Sequence, residues 1–291
     1  MSFVPEEFPL KELINIAICA GKHIMEIYNK GDVPIKIKKD RTPLTAADKI
    51  SQEIITERLK KITPSIPIIS EEAKKVSYQE RKRWRYFWLV DPLDGTEEFI
   101  TRNGEFAVNI ALIEKDKPVL GVIFAPAKGL IYFAKKTEGA YKLENLQFKN
   151  KPNLDNAHRL PLSGKRRTLR VVVSRSHNLK ETRKYIEKLK SFYPKIATVS
   201  VGSSIKFCLI AEGSADIYFR LGRTMEWDTA AGQIIIEEAG GKIVEIGSKK
   251  VLKYNKKTLY NGPFVAYKDK KSEISRLINL FWENQKKSQY N

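Results

Sequence analysis

The apolar run YFWLV at residues 86–90 passes directly into DPLDGTEEFI, and this junction constrains the chain more than any other segment. The run is aromatic and branched, and reads as a strand heading for the interior. Such a strand does not end in two carboxylates, Asp91 and Asp94, without a reason. Pro92 stiffens the backbone between them and Gly95 follows. A D-x-x-D-G turn of this kind can bring both side chains and the carbonyl of Leu93 to one point. Oxygen-only ligation suits a hard divalent cation such as Mg²⁺. A plain Asx-type turn closing a strand is the alternative that the same residues allow.

Two other acidic motifs fail on spacing. An EF-hand loop needs acids at alternate positions and a glycine at its sixth, a pattern that Pro92 and Leu93 break. Phosphatases of the haloacid dehalogenase type place their aspartates two apart, not three. Further acids lie elsewhere. IPIISEE (66–72) is another strand-like run ending in carboxylates, Glu71 and Glu72, and EWDTAAG (226–232) puts Asp228 at the start of an apolar helix. Singly, the glutamates read as a solvated loop and Asp228 as a helix N-cap.

The remaining pattern is that of an α/β protein of 291 residues, long enough for one or two domains. Leu10, Leu13, Ile14, Ala17, Ile18, Ile24 and Ile27 recur at helical spacing, ended by Gly31. A second amphipathic helix follows the Pro-led turn at 41–45. Four strand-like runs between 105 and 143 predict a largely antiparallel sheet covered on one face by these helices. Residues 145–167 are polar, basic and weakly periodic, and read as a linker that could contribute an edge strand. Beyond it, strands and helices alternate. The expected halves are 1–155 and 156–291.

The formal charge of +19 points to an anionic partner. Much of it is scattered lysine, and neither an RNA-binding aromatic signature nor a zinc-finger spacing accompanies it. The opening MSFVPEEFPLKEL carries acids and prolines where a signal peptide needs a basic and then an apolar segment. No run approaches the ~20 apolar residues of a membrane span. A cytoplasmic protein without an integral membrane segment is expected, with peripheral membrane association left open. Cys19 and Cys208 fit no metal spacing and read as buried thiols.

Taken together, PLTAAD (43–48), IISEE (68–72), WLVDPLDGTEEFI (88–100) and WDTAAG (227–232) resemble the inositol monophosphatase superfamily of lithium-sensitive, magnesium-dependent phosphatases. The resemblance implies a five-layered α/β/α/β/α sandwich with its active site between the two halves. It implies Glu71, Asp91 and the Leu93 carbonyl as ligands of one Mg²⁺, and Asp91, Asp94 and Asp228 as ligands of a second. A third ion near Glu71 occurs in some relatives. It also pairs the Thr96 hydroxyl with Asp48, as holder of the attacking water and acceptor of its proton. Thr45 would buttress that loop, and the amides of Gly95 and Thr96 would bind phosphate oxygens. Without the resemblance, Asp48 reads as an exposed acid early in a helix.

Within the superfamily, three features resemble the CysQ-type 3′(2′),5′-bisphosphate nucleotidases more than the inositol enzymes. Glu98-Phe99 follows D-G-T, the segment VGSSIKFCLIAEGSADIYFR (201–220) is similar to the nucleotidase substrate segment, and Arg220 stands where inositol enzymes carry a glutamate. A cation there suits a second phosphate. Ser203, Lys206 and Arg220 would then hold the phosphate that is not cleaved, and His177 would lie near the base or ribose. Read alone, Lys206 is a surface helix lysine. Glu97 departs from relatives that carry a basic residue there. The expected partner is a phosphorylated nucleotide and not nucleic acid. The expected reaction is hydrolysis of adenosine 3′,5′-bisphosphate, with 3′-phosphoadenylyl sulfate as a second substrate. Inositol 1-phosphate hydrolysis and a catalytically dead nucleic-acid-binding protein are the alternatives. Monomer and homodimer are both compatible with the sequence.

Overall fold

The computed structural model describes residues 10–31, 34–37, 43–148, 152–162, 168–175 and 179–268, with the backbone alone for 179–181. Two sheets carry the architecture. Helix α1 (Leu10–Asn29) buries Leu13, Ile14, Ala17 and Ile24 along one face. After a two-stranded ribbon, β1 (Lys36–Ile37) and β2 (Pro43–Leu44), helix α2 (Ala46–Ile62) starts on the Thr45 cap. Strand β3 (Ile68–Ser70), the short α3 (Tyr78–Arg81), β4 (Tyr86–Asp94) and α4 (Thr96–Ile100) lead into the meander β5 (Ala107–Glu114), β6 (Lys117–Ala125), β7 (Leu130–Lys135) and β8 (Gly139–Leu143). β9 (His158–Arg159) adds an edge, so part of the basic 145–167 segment is indeed a strand. The sheet runs in sequence order from β3 to β9; β3 pairs parallel with β4 and every other pair is antiparallel.

The second sheet is built from β10 (Leu169–Ser174), β11 (Ile196–Val201) and β12 (Ile217–Arg220), linked through α5 (Leu179–Lys190) and α6 (Ile205–Ala211). After the short β13 (Thr224–Met225) come α7 (Glu226–Glu238), β14 (Lys242–Glu245), β15 (Tyr260–Asn261) and β16 (Phe264–Tyr267). The strand order is β11-β10-β12-β16-β14, parallel from β11 to β12 and antiparallel around β16. Among the described residues no helix separates β14 from the YNGPFVAY stretch that supplies β15 and β16. Strand–helix alternation therefore did not reveal it.

Three apolar layers explain the stacking. α1 and α2 pack Leu13, Ile14, Ile24 and Ile55 against Trp88, Val90 and Leu112 on one face of the first sheet. The other face, with Phe87, Leu89 and Ala111, packs on Phe207, Ala231 and Ile234 of α6 and α7, which also carry Tyr218 and Phe264 of the second sheet. α5 closes the far side through Ile186 and Leu189 on Val171 and Val173. The order is therefore α/β/α/β/α. It also accounts for YFWLV: alternate residues of β4 enter two different cores, so the strand shows no polar alternation. Cys208 is buried as expected, whereas Cys19 is only half-buried. Among the described residues no helix is long and apolar enough to cross a membrane.

Candidate active site

The two aspartates of the opening junction are three residues apart, which in a regular strand puts them on opposite faces. Here the register between β4 and β5 shifts: Asp91 faces Asn109 and Asp94 faces Ala107. Three steps on β4 match two on β5, so a bulge at Pro92–Leu93 returns Asp94 to the face of Asp91. That face looks toward α6 and α7. The turn is tied down by Leu93 N–H donating to Asp91 Oδ1 at 3.1 Å and by the Ser51 hydroxyl donating to the Pro92 carbonyl at 2.7 Å.

The other acids arrive from separate elements. Glu71 follows β3, where its N–H donates to the Val90 carbonyl at 3.2 Å and holds it beside β4. Asp228 is the third residue of α7, and Met225 N–H donates to its Oδ2 at 2.8 Å. Glu71, Asp91, Asp94 and Asp228 line one cleft of about 450 Å³. Burial raises the Asp91 carboxyl well above the ordinary aspartate range, and the charges of Glu71, Asp94 and Asp228 raise it further. Asp228 is raised for the same reasons, burial first and then Asp94.

Buried carboxylates that repel one another are costly unless a cation joins them. An all-oxygen set at a strand bulge and a helix start therefore fits a hard divalent ion. The fit is one of chemistry and position. Among the described residues no group of three His, Cys, Asp or Glu side chains is drawn up at ligating geometry.

Asp48 is 2 % exposed, not a surface acid as its helical position alone suggests. Its Oδ2 accepts Thr45 N–H at 2.7 Å and the Thr45 hydroxyl at 2.6 Å, the reciprocal half of the α2 cap. Oδ1 accepts the Thr96 hydroxyl at 3.3 Å, which also lies 3.3 Å from the Leu93 carbonyl. Thr96 is the first residue of α4, entered through Gly95 at φ +87. A side chain at 95 would be strained there and would crowd Ser203, 3.1 Å from its Cβ.

Across the cleft lies the second half. Ser203 takes a left-handed φ of 47 that lets Ser204 N–H donate to Asp94 Oδ2 at 2.5 Å. Asn109 joins this junction, donating to Asp94 at 3.3 Å and accepting the Ser204 hydroxyl at 2.6 Å. Lys206 is 7 % exposed and not a surface lysine. Burial lowers its pKa to about 8, against the pull of Asp94. Its ammonium donates to the Val201 carbonyl at 3.5 Å and lies 5.8 Å from the centre of the Tyr218 ring. Arg220 lines the same cleft, and its Nε is buried without a hydrogen-bond partner. Arg220 donates from Nη2 to the Arg223 carbonyl at 3.3 Å, and two cations that face one hollow with donors to spare could hold an anion. His177 lies outside the described residues.

Several residues of the site went unremarked in the sequence. Asn109 had a signal, a lone amide inside the apolar strand FAVNIALIE. Glu105, Gly202 and Ser204 had none, because their roles depend on which loop of the other half faces them.

The description of an inositol monophosphatase family matches residues 9–286 of the chain. The 3′(2′),5′-bisphosphate nucleotidase CysQ of Salmonella typhimurium is 44% identical over 236 residues, which cover 80% of this chain and 89% of that one. The protein of the same name from Haemophilus influenzae is 37% identical over 267 residues, covering 90% and 94%. The crystal structure of CysQ from Bacteroides thetaiotaomicron, a bacterial member of the inositol monophosphatase family, superposes with a TM-score of 0.78 at 41% identity, covering 89% of this chain and 96% of that one.

Proposed function

The chain belongs to the inositol monophosphatase family, and from that premise we propose that it is a 3′(2′),5′-bisphosphate nucleotidase, hydrolysing adenosine 3′,5′-bisphosphate to AMP and phosphate. The observation that carries the choice of substrate is the cation pair, Lys206 and Arg220, facing the cleft across from the acids with bonding capacity unspent. A bisphosphate needs one end of the cleft to neutralise the phosphate that stays and the other to cleave the phosphate that leaves. An inositol diol would want an acceptor where Arg220 presents donors. Relatives that carry the nucleotidase name, at 37–44% identity, support the same reading.

Glu71, Asp91, the Leu93 carbonyl, Asp94 and Asp228 are the residues that would hold Mg²⁺, as two ions. Bound there, Mg²⁺ supplies Lewis-acid stabilisation of charge on the phosphoryl oxygens and makes water more acidic. The chain's own part is positioning and proton transfer. The Thr96 hydroxyl gives its proton toward Asp48 and offers its lone pairs to the attacking water. Asp48 takes up the attacking water's proton, relayed through Thr96, as the new P–O bond forms; the bond to the 3′-oxygen breaks, and that oxygen takes a proton from solvent water. Its grip on Thr45 leaves Oδ1 aimed at Thr96, so the acceptor is oriented before substrate enters. Gly95 and Thr96 amides face the phosphoryl oxygens at the start of α4.

Phosphate release from adenosine 3′,5′-bisphosphate with Mg²⁺, set against inositol 1-phosphate and with and without Li⁺, tests the reading. Strong preference for the bisphosphate is expected. Equal or better turnover of inositol 1-phosphate would overturn the choice of substrate, and no turnover of either alongside salt-sensitive RNA binding would overturn the enzyme. Thr96→Val should lower kcat by roughly a hundredfold or more with little change in KM. An equal loss in Thr96→Ser would remove the hydroxyl from the relay.

A further inference from the structure

Glu105 stands outside the acid cluster, on the loop before β5, and its carboxylate is buried at the seam between the halves. Arg175, at the end of β10, donates to it through two nitrogens, Nε to Oε2 at 2.9 Å and Nη2 to Oε1 at 3.0 Å. Gly202 N–H donates to Oε2 at 2.8 Å. Arg175 also donates to the Ser200 carbonyl at 3.2 Å, so the guanidinium spans the loop and the end of β11. The next residues after Gly202 are Ser203, in its left-handed conformation, and Ser204, whose N–H reaches Asp94. One carboxylate of the first half thus anchors the turn of the second half that opens α6 and presents Lys206.

The fit around the anchor is close. A Cβ at Gly202 would stand 2.5 Å from Glu98 Cγ, and a Cβ at Gly95 would stand 3.2 Å from the Glu105 carbonyl. The turn therefore rests directly on the Glu98 side chain, in the segment that follows the metal-binding corner. A residue in a left-handed conformation costs energy that surrounding contacts must hold down. The Glu105–Gly202 bond holds the residue before Ser203, as the Asp94–Ser204 bond holds the residue after it.

We propose that Glu105, held by Arg175, is a positioning residue for recognition of the uncleaved phosphate: it locks the Gly202–Ser204 turn so that Ser203 and Lys206 meet that phosphate already in place. The assignment rests on the bisphosphate reading above. Asp94 keeps its second anchor, Asn109, when the turn loosens. The cost should therefore fall on binding of the phosphate that stays more than on the bond that breaks.

Adenosine 3′,5′-bisphosphate, AMP and inorganic phosphate separate these effects, because AMP retains only the phosphate that is not cleaved. In Glu105→Ala, KM for the bisphosphate and the inhibition constant of AMP are expected to rise together by about tenfold. kcat and inhibition by inorganic phosphate should stay within about threefold. Arg175→Ala, whose side chain is 45% exposed and whose fold is under less threat, should move in the same direction, and the double variant should lose no more than Glu105→Ala alone. Arg175→Lys, which keeps the charge without the fork, should recover part of the loss. Unchanged AMP inhibition in both single variants overturns the proposal. So does an equal loss toward AMP and inorganic phosphate, which is what general loosening would produce. Wild-type protein that does not turn over the bisphosphate overturns the parent reading and this one with it.

Discussion

Replacing Asp94 by Asn should cut kcat on the order of a thousandfold, while the metal-free protein becomes more stable. Asp94 is where three demands meet. Its Oδ2 accepts from Ser204 and Asn109, its charge raises the carboxyls of Asp91 and Asp228, and it faces the cleft with both. The amide keeps an oxygen for Ser204 N–H but loses the charge that a divalent ion requires. Turnover should fall and added Mg²⁺ should no longer raise the melting temperature. Removing one of several mutually repelling acids should at the same time raise the melting temperature of the metal-free form by a few degrees. Full activity in this variant would sink the metal assignment.

The same repulsion gives the metal-free protein a signed pH dependence. Asp91 and Asp228 have raised carboxyl pKa values in the fold, so folding takes up protons between the ordinary aspartate range and the raised values. Their contribution is favourable below the ordinary range and is lost as pH rises through the raised pKa. Calorimetry across pH should show this fall in the wild type, less of it in Asp94→Asn, and little of it with saturating Mg²⁺.

Gly121→Ala should be the costliest single methyl among the glycines of the first sheet. Its Cβ would stand 2.5 Å from Ile234 Cγ2 and 3.0 Å from both Cα and the carbonyl oxygen of Ala231. The first of these can rotate; the other two are the backbone of α7 and cannot. The helix would have to lift from β6, at about 1–3 kcal/mol, which lowers the melting temperature by several degrees. Because Asp228 opens that helix, the Mg²⁺ concentration needed for half-activity should rise as well. Gly262→Ala, where a Cβ meets nothing within 4 Å, is the matched control and should stay within about 0.5 kcal/mol. Equal melting temperatures for the two variants would refute the close contact between α7 and β6.

Much of the candidate site was legible because the turns and caps that shape it are local. The DPLDGT turn, the capped start of α2 at PLTAAD and the start of α7 at EWDTAAG are each set by neighbours within a few residues. Turn and cap energetics act over that range. Helices α1 and α2 and the β5–β8 meander were equally legible, since one buried face imposes a period on the sequence. β15 and β16 were not, because antiparallel strands that join a distant sheet leave no periodic trace in two to four residues. Asp48 and Lys206 misled when read singly: position in a helix says nothing about what will cover it.

Where the carboxylates, caps and turns fall was readable from local sequence, and their order along the chain selected the family. That Asp91 and Asp94 share a face became visible only in the folded chain, because it depends on a bulge defined against β5. The same holds for Ser204 meeting Asp94 across 110 positions of chain and for Glu105 anchoring the turn between them. Burial, and with it the raised carboxyls of Asp91 and Asp228 and the lowered pKa of Lys206, is a property of two halves brought together. No segment carries it alone, because the low dielectric that shifts those groups exists only once both sheets enclose the cleft.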